Sequence, residues 1–206
     1  GLGSIVASVS EDALPQTCAP SVWVSAGHVA YLGPSLRLGP HSTAVGCFVL
    51  GLDAPFEVTR TGRPTRLARS MAVPARAVHQ VLAQDGWMLF AYPDPASGRW
   101  QACHRKMRGI EERFGFEHAD LDALLELASH DPRCIADVLT RAAPPTAPPI
   151  DRRIRDVVER LRADPAKHYS VHDAALAAGL SVSHFQRRFA ADVGTSLRRY
   201  RLWTRM

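Results

Sequence analysis

The sequence predicts an α+β multidomain protein, in which an antiparallel β-sandwich or β-barrel with trailing helices precedes an all-α segment. Three features predict this: apolar runs separated by turn residues between about residues 20 and 95, helical periodicity from about residue 106, and a proline-rich break at residues 143–150. The chain has 206 residues, of which 46% are hydrophobic, enough for two small cores. We therefore predict domains at residues 1–142 and 151–206, joined by a linker at residues 143–150.

The β-region consists of apolar runs about ten residues apart, with Gly, Pro and Asp between them. Examples are SVWVSAG, VGCFVLGLD, FEVTRTG and WMLFAYPDP. Such even spacing is typical of antiparallel sandwiches and barrels. The segments TRTGRP (59–64) and AQDGW (83–87) predict two hairpin turns, the second with an Asp-Gly pair.

A helical period replaces this pattern after the β-region. The segments KMRGIEERF (106–114) and HADLDALLELASHDPRCIADVLTRAAP (118–144) have apolar residues three and four positions apart, including Leu121, Leu124 and Leu125, then Ile135 and Val138. We predict that both segments are helical and that the second forms a helical hairpin. The following segment, APPTAPPI, has four prolines in eight residues, which favours an extended linker.

The positive charge is concentrated after the linker. Residues 151–206 contain 12 Lys and Arg against 6 Asp and Glu, whereas residues 1–150 contain 13 against 14. This distribution indicates an anionic partner for the last quarter of the chain, or else a solvated basic face.

The basic segment has the helix signals of a helix-turn-helix. An apolar stripe from Ile154 to Leu161 predicts a first helix, and Ser170 with Asp173 predicts a capping box at the start of a second. Positions that end or begin the later helices follow in order: Gly179, Ser181, Gly194, and Thr195 or Ser196. A capped helix after a short turn is the helix-turn-helix arrangement.

The third of these helices is predicted to read DNA bases. Ala175 lies where the second and third helices touch, and Phe185 and Phe189 face inward on a helical wheel. Arg binds guanine bidentately and Gln binds adenine in the major groove. The alternative is an amphipathic helical hairpin with a solvated basic face. The predicted base contacts on the outward face are Ser183, Gln186 and Arg187.

The segment DAALAAGLSVSHFQRRFAADVGTSLRRYRLW (173–203) resembles the first helix-turn-helix of the AraC/XylS family of transcriptional regulators. The segments PHSTAVGCFVLGLDAPFEV, VPARAVHQV and YPDPASG resemble, more weakly, the cupin-like effector domain of that family. The resemblance implies a cytoplasmic regulator with a cupin-like β-barrel, which binds a small-molecule effector or forms a homodimer. Its partners would be promoter DNA and, for an activator, RNA polymerase.

Two departures from the family pattern affect this interpretation. The family has a second helix-turn-helix, which would lie beyond Met206, so the DNA-binding segment is expected to be truncated here. Arg188 occupies a position that is usually apolar, and its long side chain is predicted to reach a phosphate. The predicted phosphate contacts are Arg188, Thr195, Ser196, Arg198 and Arg199, with Thr195 and Ser196 acting partly through backbone N–H groups.

The alternative function is a metal-dependent cupin enzyme with a helical appendage. Such a site needs two His one residue apart, a nearby Glu and a later His, because the metal requires converging ligands. Here position 43, where a second His would be needed after His41, is Thr, and the next Glu is Glu57. We therefore expect no metal, no cofactor and no catalysis, with His41 and His79 as candidate residues of an organic-ligand pocket. His28 is a further histidine that could meet them inside a barrel.

Localisation follows from the apolar pattern and the cysteines. No run of eighteen apolar residues is present, and the apolar start lacks a basic leader, so neither a membrane span nor a signal peptide is expected. Cys18, Cys47, Cys103 and Cys134 are far apart and lack zinc spacing. We expect four reduced thiols in a cytoplasmic protein.

Overall fold

The chain divides into two compact units. The computed structural model describes residues 4–5, 20–25, 27–147 and 149–205. The first unit comprises the described residues up to Asp94 together with Arg99–Thr146, and the second comprises Pro95–Gly98 and the described residues from Ala147 onward. The division after Thr146 falls inside the predicted linker, whereas the prediction had kept Pro95–Gly98 in the first domain.

The first unit is built on antiparallel strands, as the apolar runs predict. The described strands are β1 (Ser4–Ile5), β2 (Ser21–Ser25), β3 (His28–Pro34), β4 (Cys47–Gly51), β5 (Phe56–Arg60), β6 (Arg66–Ala68), β7 (Ser70–Val73), β8 (His79–Leu82), β9 (Trp87–Pro93), β10 (Met107–Glu111) and β11 (Phe114–His118). They form an eight-stranded sheet in the order β1-β2-β3-β9-β4-β7-β11-β10 and a three-stranded sheet in the order β6-β5-β8. The α+β fold class, with a β-domain first and helices after it, is confirmed.

Strand β4 of the eight-stranded sheet is buried on both faces, which explains its uninterrupted apolar run. Phe48 and Leu50 belong to a core cluster that includes Leu124 and Leu139 of the trailing helices. Val49, which points to the opposite face, belongs to a second cluster shared with the three-stranded sheet. A strand covered on both sides has no polar face, so its sequence does not alternate.

The segment KMRGIEERF is a β-hairpin, so its predicted helix is wrong. Strands β10 and β11 pair in antiparallel fashion across it. Glu112 and Arg113 form the connection with φ of 49° and 74°, a two-residue turn in the left-handed region that suits the twist of a hairpin. Met107 and Ile110 are three residues apart, which produced the helical signal in so short a segment.

The predicted AQDGW hairpin is also wrong. The segment does turn the chain, with Gly86 at φ 92°. However, β8 belongs to the three-stranded sheet and β9 to the eight-stranded sheet, so the strands that it joins are not paired. By contrast, TRTGRP connects β5 to β6, which do pair, as predicted.

The helices of the described residues are α1 (Arg99–Arg105), α2 (Leu121–Leu127), α3 (Ile135–Ala142), α4 (Arg152–Ala163), α5 (Val171–Ala177), α6 (Val182–Val193) and α7 (Leu197–Thr204). Helix α1 was not predicted, whereas α2 and α3 form the predicted helical pair. Helices α4 to α7 belong to the second unit, and their buried side chains form its core. Throughout the ranges described above, every helix is too short or too polar to cross a membrane.

Candidate nucleic-acid interface

Helix α5 begins with the capping box that the sequence predicts. The Ser170 hydroxyl accepts a hydrogen bond from the Asp173 backbone N–H at 3.1 Å, and the Asp173 carboxylate accepts one from the Ser170 N–H at 3.0 Å. The Ser170 hydroxyl also donates to this carboxylate at 2.7 Å, and these bonds hold the pKa of Asp173 below its usual value. Two N–H groups that lack helical partners are thereby satisfied.

The turn between α5 and α6 depends on Gly179. This residue has φ of 63°, a conformation that costs a residue with Cβ additional free energy. The N–H of Leu180 donates to the carbonyl of Ala175 at 2.9 Å, which closes the end of α5. The Ser181 hydroxyl then caps α6 by accepting from the His184 N–H. These predicted start and stop signals are confirmed.

The inner face of α6 is aromatic. Phe185 and Phe189 are fully buried, with ring centroids 5.5 Å apart, and the Phe189 ring is 5.9 Å from that of Tyr200 on α7. Ala175 of α5 is also buried, consistent with the predicted close approach of the two helices. This packing fixes the rotation of α6 about its own axis, and therefore which side chains face outward.

The outward face of α6 carries the three predicted base-contact residues. Ser183, Gln186 and Arg187 are all exposed. Within the described part of the chain, the Arg187 side chain has no hydrogen-bond or ion-pair partner. Its guanidinium is therefore free to bind an external acceptor.

Arg188 differs from Arg187 because it already has an acidic partner. Its Nε lies 3.0 Å from the Asp192 carboxylate, one helical turn further along α6. The same carboxylate accepts from the Asp151 N–H at 2.9 Å, just before α4. Arg188 thus helps to hold α6 against the start of α4, and its predicted phosphate contact would have to compete with this pair. The signal for this pairing in the sequence is the acidic Asp192 four residues after Arg188, since residues at this spacing are neighbours on a helix.

The start of α7 holds the other predicted phosphate contacts. Ser196 caps the helix by accepting from the Arg199 N–H, and Arg198 and Arg199 are exposed. Thr195 is only 2% exposed, and its hydroxyl is enclosed with no hydrogen-bond partner among the described residues. A contact through the Thr195 side chain is therefore not available in this structure, because the preceding turn places it inside the unit.

The two histidines predicted for a ligand pocket lie side by side in the first unit. His41 and His79 exchange backbone hydrogen bonds of 3.0 and 2.9 Å, and their ring centroids are 4.9 Å apart. Each Nδ1 is bonded to the carbonyl two residues earlier, that of Gly39 at 2.8 Å and that of Ala77 at 2.9 Å. A carbonyl only accepts, so both rings carry the proton on Nδ1. His28 does not join them, and its ring is bonded to Ser25 instead.

Buried histidines are expected to make the first unit sensitive to acid. Burial lowers the pKa of His28, His79 and His118 below the ordinary value of 6.5. As pH falls below 6.5 toward each folded pKa, the unfolded chain binds protons that the folded state does not, so the free energy of unfolding decreases. We predict that the melting temperature falls between pH 7.5 and pH 5, and that His79→Gln reduces this fall. Replacing the exposed His184 by Gln is the control, and a pH-independent melting temperature would contradict the prediction.

Groups of three or more His, Cys, Asp or Glu side chains suited to a metal ion are absent from the described ranges. Cys47, Cys103 and Cys134 are free thiols, and burial raises the pKa of Cys47 to about 12. The prediction for Cys18 falls outside the described residues. A deeply buried thiol with a raised pKa is a poor nucleophile, so Cys47 is a core residue.

Comparisons with known proteins show only distant similarity. Neither protein-family models nor curated proteins match the sequence. Unsaturated fatty acid-bound ToxT from Vibrio cholerae aligns with a TM-score of 0.46 and 7% identity over 88% of this chain and 79% of that chain. A cupin-2 domain protein from Shewanella frigidimarina aligns with a TM-score of 0.32 and 14% identity over 39% and 84% of the two chains. An RmlC-like cupin from Methanocaldococcus jannaschii aligns with a TM-score of 0.32 and 8% identity over 43% and 92%. These values are too low to support a function by similarity.

Proposed function

We propose that this chain is a sequence-specific DNA-binding transcriptional regulator, modulated by a small molecule bound in its first unit. The observation that carries the proposal is the outward face of α6, whose start is capped by Ser181. This face presents Ser183, Gln186 and Arg187, and the Arg187 side chain has no partner among the described residues. A helix of this kind fits the DNA major groove, where Arg binds guanine and Gln binds adenine.

Helix α7 supplies the phosphate contacts in this proposal. Arg198 and Arg199 are the second and third residues of α7 and are exposed, and the positive end of the helix dipole at this first turn favours an anion. Such contacts set the register of the protein on DNA without reading its sequence. The charge balance of residues 151–206, with 12 basic against 6 acidic residues, supports an anionic partner for this unit.

A salt titration tests the proposal. With few phosphates contacted, the chain should bind a pool of random-sequence duplexes with a dissociation constant of about 10⁻⁴ to 10⁻⁶ M at physiological salt. Arg199→Ala should weaken binding to the whole pool and reduce the slope of log K against log salt by about one. Fluorescence anisotropy between about 50 and 200 mM salt measures both quantities.

The matched control is Arg133→Ala, which removes an exposed arginine from the first unit. It changes the net charge of the chain by the same amount as Arg199→Ala. The comparison therefore shows whether the effect on DNA binding depends on the position of the arginine or only on net charge. An equal loss of slope in both variants, or binding that does not depend on salt, would count against a DNA-binding second unit.

A further inference from the structure

One carboxylate in the first unit is bound by two arginines. Arg60 Nη2 lies 2.5 Å from Glu111 Oε2, and Arg66 Nη1 lies 2.5 Å from Glu111 Oε1. The two arginines flank the rings of Phe114 and Phe116, with the Arg66 guanidinium carbon 4.0 Å from the Phe116 centroid. We call these five residues the carboxylate clamp. Hydrogen bonds between two charged groups are shorter and stronger than those between neutral groups.

The clamp depends on a buried positive charge. Arg60 is 6% exposed, and its Nε and Nη1 are enclosed without a hydrogen-bond partner among the described residues. A buried guanidinium requires an anion nearby, because an unpaired charge in a core is strongly destabilising. Within the described residues, Glu111 is the carboxylate that pairs with Arg60, and this hydrogen bond lowers the pKa of Glu111.

Glu111 itself is not confined. Its side chain is 48% exposed, and it lies at the end of β10, an edge strand of the eight-stranded sheet. Arg60 is therefore held in the core, whereas its counterion is half exposed and can be exchanged only for another anion that keeps the guanidinium paired. A site with a fixed cation and an exchangeable anion can accept a carboxylate from another molecule.

A cavity of about 410 Å³ adjoins the clamp and shares Arg66 and Phe116 with it. This volume lies within the range of small-molecule sites. The walls also include Leu121, Arg108 and the acidic Glu117 and Asp122. Glu117 already accepts from the backbone N–H of Arg69 at 3.3 Å. The cavity therefore combines the apolar Phe116 and Leu121 with polar and charged walls, and Arg66 places a cation on the side that it shares with the clamp.

We propose that the carboxylate clamp and this cavity form a binding site for a small organic monocarboxylate, which Glu111 occupies when the site is empty. The carboxylate of the ligand replaces that of Glu111 between Arg60 and Arg66, and its apolar body lies in the cavity against Phe116. Binding is a non-covalent exchange of one carboxylate for another. The role of this site in regulation rests on the proposed function, whereas the binding of a carboxylate at the site does not.

The test uses phenylacetate and its neutral amide, phenylacetamide, with the full chain in isothermal titration calorimetry. Phenylacetate should bind, and phenylacetamide should bind at least about tenfold more weakly, because it cannot replace a charged partner of two arginines. Glu111→Gln removes the competing charge, so it should bind phenylacetate more tightly than the wild type. Arg66→Gln should weaken phenylacetate binding by about tenfold or more.

The control is Glu112→Gln, one residue further along the turn. Glu112 pairs with Arg63 on the surface, and neither residue lines the cavity. This variant should bind phenylacetate as the wild type does. If Glu111→Gln is less stable, phenylacetate should raise its melting temperature more than that of Glu112→Gln.

Three results would overturn the site: equal binding of the amide, equal affinities of Glu111→Gln and Glu112→Gln, or no phenylacetate binding by Glu111→Gln at millimolar concentration. None of these depends on DNA. Conversely, a chain that binds phenylacetate but shows no salt-dependent DNA binding would retain the carboxylate site and lose the proposed function.

Discussion

Replacing Phe189 by Ala is expected to destabilise the second unit by about 3–5 kcal/mol, the usual cost of deleting a large aromatic side chain from a core. Phe189 is fully buried, and its ring contacts those of Phe185 and Tyr200. Its removal leaves a cavity between α6 and α7 and frees the rotation of the outward face. Amide hydrogen exchange of α6 measures the loss directly, because it reports the second unit separately from the first.

The control for this variant is Leu176→Ala on α5. Leu176 is 82% exposed, so its truncation should change the free energy of unfolding by no more than about 0.5 kcal/mol. Both variants remove apolar side chains from the same unit, and only one removes a core contact. Similar exchange rates in the two variants would contradict the packing described for α6.

The helix-turn-helix could be predicted from the sequence because its signals are local. Ser170 and Asp173 are three residues apart, and the conformation of Gly179 depends on its own lack of Cβ. The inward turn of Phe185 and Phe189 follows from their spacing on one helix. Each of these features is determined within about one turn of chain, so periodicity and capping rules suffice.

Other features depend on residues that are distant in the sequence. The Arg60–Glu111 pair spans 51 residues, so the carboxylate clamp is invisible without the strand order. The side-by-side placement of His41 and His79 likewise needs the bridge between their backbones. The burial of Thr195 was also not predicted from the sequence. Thr195 is the single residue between Gly194 and the Ser196 cap, and the packing of α7 turns it inward.

The hairpin of β10 and β11 shows why the helical prediction failed for KMRGIEERF. In nine residues, an apolar pair three positions apart fits a helix as well as it fits two strands. The decisive interaction is the pairing of β11 with β7, through Gly115 with Ala72 and Phe116 with Met71. That pairing buries Phe116, and no local pattern contains it.

Arg187→Ala is expected to remove sequence preference without removing DNA binding. The guanidinium is exposed on α6 and, among the described residues, unpaired, so its replacement should leave the fold of the second unit unchanged. Loss of one bidentate base contact should cost about 1–3 kcal/mol on the preferred duplex, which is about 5- to 150-fold in affinity. Binding to a scrambled duplex should change little, because phosphate contacts dominate there.

The measurement begins with selection of a preferred duplex from a random pool by the wild-type chain. Dissociation constants of the wild type, Arg187→Ala and Arg199→Ala are then compared on the selected and scrambled duplexes at fixed salt. Arg199, on α7, is predicted to contact phosphate, so its loss should weaken both duplexes by a similar factor. The ratio of the affinities for the selected and scrambled duplexes therefore distinguishes a residue that contacts bases from one that contacts phosphates. If Arg187→Ala also weakens both duplexes equally, then α6 is not the helix that reads the bases.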